Sequence, residues 1–210
     1  KDPRQVMDRN ANPQLNAIGV ITVTGKSNVP YRGSSAKEVS EFKPGVNYSS
    51  IGSGFLINEC LVVTNHHVAF QKRRSNEFQP EKIEFMAGSS GNIQSPFAFK
   101  STGHVVADGN YQYNGSNGEG KNDWAIIKLD RPVADPNNPN DPRAKWRIKP
   151  EFKSFREIGR DKMSSASFYR DEEKYKNGSQ LWGQNDCNVR RRGVETYTGM
   201  WATNCPAIPG

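Results

Sequence analysis

The chain has 210 residues, a length for one domain or for two small subdomains that share a core. Hydrophobic residues make up only 34% of it, beside 19 Gly and 13 Pro, which argues against long helices and for many short strands separated by turns. The net charge of +7 raises a nucleic-acid reading, but the tight basic runs, Lys72-Arg73-Arg74 and Arg190-Arg191-Arg192, sit between strand-like segments with no interleaved aromatics; they read as solvated loop charge, and no nucleic-acid partner is expected. No apolar run approaches the roughly 20 residues of a membrane-spanning helix.

Residues 1–16 are polar with two prolines and read as an N-terminal arm or short lead-in. Ala17 to Thr24 is a first strand, followed by a long Gly/Ser/Lys/Pro loop. The densest pattern comes next. Ile51-Gly52-Ser53-Gly54-Phe55-Leu56-Ile57 and Cys60-Leu61-Val62-Val63-Thr64 are two β-rich runs split by the polar pair Asn58-Glu59, a predicted hairpin. Cys60 falls inside the second run, where a free thiol behaves as a small buried hydrophobe. After Thr64 the sequence Asn65-His66-His67-Val68-Ala69 turns into a short helical segment.

Further strands are predicted at Lys82 to Ala87, within Phe97 to Ala107, and at Asp123 to Leu129, an apolar run that opens on an acid. Gly88-Ser89-Ser90-Gly91 suits a hairpin turn by propensity alone. Residues 131–149, rich in Pro, Asn and Asp, read as a linker between two halves. Ser164 to Tyr169, Ser179 to Trp182 and Gly199 to Ala202 are short strands of the second half. No repeat and no Cys/His spacing of a metal site is present, so neither metal nor cofactor is expected.

Gly52-Ser53-Gly54-Phe55-Leu56-Ile57, followed by Val63-Thr64-Asn65-His66-His67-Val68, resembles the histidine motif of trypsin-like serine peptidases, most closely the bacterial branch of glutamyl endopeptidases and HtrA-type enzymes. The resemblance makes His67 the catalytic histidine. His66 is expected to point away from the cleft, and His104 to be structural. Asn122-Asp123-Trp124-Ala125-Ile126-Ile127-Lys128-Leu129 resembles the aspartate motif of the same family, 56 residues after His67. Asp123 would then hold the base in the right tautomer, as acyl transfer to serine requires.

The same resemblance implies the rest of the site. Thr203-Asn204-Cys205-Pro206-Ala207-Ile208-Pro209-Gly210 looks like the approach to the Gly-x-Ser-Gly motif, with Gly210 as its first glycine and an oxyanion-hole donor. The nucleophilic Ser would lie just beyond Gly210, so the natural protein is expected to continue past it and to have lost a targeting segment. Cys187 and Cys205 match the disulfide that braces this loop in many relatives, which suits a secreted or periplasmic location. Pro206 stands where arginine- and lysine-cleaving relatives carry an acid. The implied fold is all-β: two antiparallel β-barrels of the chymotrypsin type with the site in the crevice between them. Residues 17–130 would form the first barrel, and residues 150–210 a second barrel that is incomplete in this chain. The implied substrate is a protein or peptide; a catalytically inactive homologue acting as a binding module is the alternative.

Overall fold

The computed structural model describes residues 5–26, 47–70, 80–88, 98–111, 122–151, 162–168 and 181–188. The first β-barrel comprises six strands: β2 (Ile18–Lys26), β3 (Asn47–Leu56), β4 (Leu61–Thr64), β5 (Pro80–Ala87), β6 (Phe99–Asp108) and β7 (Ala125–Leu129). They close in the order β2-β3-β4-β7-β6-β5, every pairing antiparallel. Closure leaves this sheet without a free edge. The barrel follows from period-2 patterning. Ile21 and Val23 of β2, Leu56 of β3, Val62 of β4, Phe85 of β5 and Ile127 of β7 are all fully buried in one cluster. Each such side chain contributes about 1.5–3 kcal/mol by leaving water.

A second sheet contains β1 (Gln5–Val6), β9 (Leu181–Asn188) and β8 (Lys162–Phe168), in the order β1-β9-β8. Among the described residues it has three strands and stays open, an incomplete second sheet beside a closed barrel. The chain is therefore mostly β, with the chymotrypsin fold's first barrel complete. The two sheets meet where β2 turns its other face outward. Val20 packs with Phe168 and Leu181, flanked by Met7, Leu15, Ile18 and Ile51. The Phe168 N–H donates to Ser53 Oγ at 2.9 Å, tying β8 directly to β3.

Four details differ from the sequence reading. The lead-in is pinned rather than loose: β1 pairs with β9, and the Met7 N–H donates to the Leu181 carbonyl at 2.9 Å. Arg9, only 6% exposed, donates to the carbonyls of Leu15 at 2.8 Å and Ile18 at 3.0 Å. The β3–β4 turn is longer than two residues. Ile57 to Cys60 lie in it, with Asn58 Oδ1 accepting from the N–H groups of Cys60 and Leu61 at 2.8 Å each. The free Cys60 is consequently half-buried in the turn and not a strand interior. The strand expected at Ser179 to Trp182 runs on to Asn188, and Cys187 on it is fully buried.

The Pro-rich stretch after β7 is strapped to the barrel. The Val133 N–H donates to the Glu59 carbonyl at 2.8 Å and the Ile148 N–H to the Leu56 carbonyl at 2.7 Å. Val133 and Trp146 join the barrel core cluster. Asp141, 4% exposed, knots the stretch: it accepts from the Asp135 N–H at 2.8 Å, the Arg143 N–H at 2.9 Å and the Arg143 guanidinium at 2.6 Å. These bonds hold its carboxyl far below the usual carboxylate range, the Arg143 guanidinium contributing most.

Candidate active site

His67 is positioned by the end of β4. Thr64 Oγ1 donates to the Ser53 carbonyl at 2.8 Å, which fixes where the strand leaves the barrel. One residue later the chain turns into α1 (His66–Phe70). The main-chain oxygen of Asn65 opens this turn, accepting from the N–H groups of Val68 at 3.1 Å and Ala69 at 3.2 Å. Gly52 of β3 lies beneath it; a Cβ there would collide with the Cγ1 of Val68, so only glycine lets α1 sit this close to the barrel.

Asp123 is positioned by the entry to β7. The Gly109 N–H donates to the Trp124 carbonyl at 2.9 Å, bringing the end of β6 against this entry. A Cβ on Gly109 would strike the Asn122 carbonyl, so this approach also needs glycine.

The two sequence-predicted residues meet. Asp123 Oδ2 lies 2.7 Å from His67 Nδ1, and Asp123 Oδ1 accepts the His67 main-chain N–H at 2.9 Å. An ionised carboxylate only accepts, so the ring presents Nδ1–H to it, and in the neutral imidazole Nε2 is then the acceptor. The His67 side chain is 51% exposed and that of Asp123 16%. Burial pushes the Asp123 carboxyl up, but the hydrogen bonds from the His67 ring and backbone outweigh it. With the charges of His67 and His66 adding to them, the carboxyl is held below its ordinary value. The pair is thus an orienting carboxylate behind an accessible imidazole, the arrangement that can take a proton from a hydroxyl and return it to a leaving group.

Sequence reasoning missed two neighbours. Asn65 Nδ2 donates to the Asp123 carbonyl at 3.0 Å and to Oδ2 at 3.3 Å. Asp108, the last residue of β6, lies 3.1 Å from His66 Nδ1 through Oδ1. His66 is buried, with its ring 4.4 Å from that of Phe70. The sequence signal for Asn65 was adjacency to the histidine. Nothing in the sequence ties Asp108 to a residue 42 positions earlier. His104 is an exposed side chain 3.6 Å from Asp130, away from this pair. Gly210, Cys205 and Ser90 lie outside the described residues, as do the two basic runs. Among the described residues no cluster of His, Cys, Asp and Glu could hold a metal ion.

Known proteins resemble the chain in this fold. The family model described as Trypsin matches residues 24–155, more than half of the chain and including His67 and Asp123. Among solved structures, a Glu endopeptidase in complex with MPD superposes with a TM-score of 0.57 at 15% identity, covering 98% of this chain and 80% of its own. A scabies mite inactivated protease paralogue, S-D1, gives 0.56 at 11% identity, with 98% and 75% covered. The protein in a structure titled for GrC gives 0.55 at 13%, with 92% and 67% covered. No curated protein matches the chain. The family match and the structural likeness to the Glu endopeptidase identify the closed barrel and the sheet beside it as a trypsin-like, chymotrypsin-fold architecture. The chain belongs to the Trypsin family.

Proposed function

We propose that the protein is a serine endopeptidase that hydrolyses peptide bonds of protein or peptide substrates. The observation that carries this reading is the 2.7 Å contact between His67 Nδ1 and Asp123 Oδ2, formed behind a ring whose side chain is half exposed. His67 is the general base, and Asp123 orients it and stabilises the imidazolium. The nucleophile is the serine of the Gly-x-Ser-Gly motif that opens at Gly210.

In the first half-reaction the serine Oγ bonds to the scissile carbonyl carbon while its proton passes to His67 Nε2. The carbonyl oxygen takes the negative charge and accepts from main-chain N–H groups, that of Gly210 among them. The C–N bond then breaks, and His67 returns its proton to the departing amine. Water repeats the sequence on the acyl-enzyme: its proton passes to His67, its oxygen bonds to carbon, and the serine leaves as alcohol.

Residues 17–130 and 150–210 are the two units between which substrate lies, with 131–149 joining them. The fully buried Cys187 pairs with Cys205 in a disulfide that braces the nucleophile loop. This bond suits a secreted or periplasmic protein. The experiment is digestion of an unfolded protein by the full-length enzyme and by its His67→Ala variant, with products identified by mass. Cleavage by the wild type alone supports the reading. No cleavage by either, from a folded full-length protein, makes it an inactive homologue that binds without cutting.

A further inference from the structure

Asn65 occupies the position before α1 at which an Asn side chain usually accepts a main-chain N–H of the first turn. That N–H goes elsewhere here: His67 N donates to Asp123 Oδ1. Among the described residues Asn65 serves the turn through its main-chain oxygen, which any residue supplies. Its amide faces Asp123 instead, with Nδ2 3.0 Å from the main-chain oxygen and 3.3 Å from Oδ2. A carbonyl and an ionised carboxylate only accept, so this amide must present its nitrogen to them. One NH2 group therefore grips Asp123 at the backbone and at the tip. The same Oδ2 receives the His67 ring.

We propose that Asn65 is a positioning residue for the His67–Asp123 pair. Its amide fixes the Asp123 carboxylate in the rotamer that receives the ring, and so holds His67 in the Nδ1–H tautomer. The terminal torsion of an aspartate is broad when unconstrained. With Oδ1 tied to the helix and Oδ2 tied to Asn65, the remaining acceptor direction on Oδ2 points at His67. Without the amide, water competes for Oδ2, and a half-exposed ring loses the partner that selects its tautomer. The catalytic consequence rests on the peptidase reading above; the tautomer consequence does not.

Two variants of the full-length protein test this, Asn65→Asp and Asn65→Ala. Aspartate keeps the size, the main-chain oxygen and the preference for a helix start, but it cannot donate. A merely structural role at the helix start survives Asn65→Asp, while Asn65→Ala removes the donor without the second carboxylate that Asp sets against Asp123. The readouts are kcat and KM for peptide hydrolysis and long-range 1H–15N correlation through the non-exchanging ring protons of His67, which separates the two neutral tautomers. Both variants should lose the preference for Nδ1–H, and kcat should fall roughly ten- to a hundredfold at unchanged KM. Wild-type tautomer and wild-type kcat in Asn65→Asp overturn the inference, whatever happens to the melting temperature. A ring that responds to Asn65→Asp in a protein without peptidase activity removes the proposed function and leaves Asn65 in its place. An active enzyme in which neither readout moves does the reverse.

Discussion

Asp123 caps the helix that carries His67: one carboxylate oxygen accepts the His67 main-chain N–H at 2.9 Å while the other lies 2.7 Å from its ring Nδ1. The carboxylate that faces the His67 ring therefore also holds the backbone from which that ring projects. Negative charge at the first turn of a helix is favourable in itself. Both functions rest on a single side chain 56 positions away in sequence.

The two functions separate under substitution. Asp123→Asn keeps an oxygen for the His67 N–H but turns an NH2 toward the ring, which then needs the other tautomer. Activity should fall on the order of 10⁴-fold, with stability changed by less than about 1 kcal/mol. Asp123→Ala should lose activity similarly and also about 1–2 kcal/mol through the missing cap. Urea midpoints beside kcat/KM measure both. An Asn variant retaining a tenth of the activity contradicts the orienting role.

Gly52 sets the distance between α1 and the barrel. In Gly52→Ala the new methyl meets the Val68 side chain, so the helix must give way. A loss of about 1–3 kcal/mol is expected from overpacking, with reduced activity because His67 moves with α1. An unchanged denaturation midpoint contradicts this packing account.

Acid should unfold the protein through carboxylates whose folded pKa is depressed. Asp123 and Asp141 are both held below the ordinary aspartate value by hydrogen-bond donors. A depressed folded pKa gives stability that is fully present above the unfolded value of about 4 and lost as pH falls through the folded one. Denaturation midpoints should therefore be flat above about pH 5 and drop steadily below about pH 4. Asp141→Asn should flatten that drop. A variant with the wild-type acid profile shows that Asp141 does not contribute.

Arg9 ties the lead-in to the junction of the two sheets. Its guanidinium donates to the carbonyls of Leu15 and Ile18 and lies over the Phe168 ring at 5.7 Å. Burial lowers its pKa to about 10. Truncation in Arg9→Ala leaves these carbonyls without their donor and should cost about 1–3 kcal/mol. Proteolysis near the N-terminus should quicken in parallel. Equal stability and equal protease resistance would count against a pinned lead-in.

Much of the barrel was legible because its strands carry local signals. The alternation in β2 and the hairpin of β3 and β4 are written in neighbouring residues, and so is the acid that precedes β7. His67 and Asp123 were legible by motif resemblance, and their contact follows from β4 pairing with β7. What was not legible depends on partners far apart in sequence. Residues 131–149 read as a linker because Pro and Asn mark turns, yet Val133 and Ile148 bond to the β3–β4 hairpin. The lead-in read as an arm because a two-residue strand has no pattern of its own; its order comes from β9 and from the buried Arg9. Cys60 looked interior because it abuts an apolar run, but the Asn58 side chain captures its N–H and keeps it in the turn.

The most direct test of the account is reaction of the full-length protein with a fluorophosphonate, read by intact mass, beside its His67→Ala variant. The account predicts one adduct per wild-type chain, on the proposed serine nucleophile, and labelling slowed by at least about a thousandfold in the variant. A folded full-length protein that takes no adduct, or a variant labelled as fast as the wild type, contradicts it.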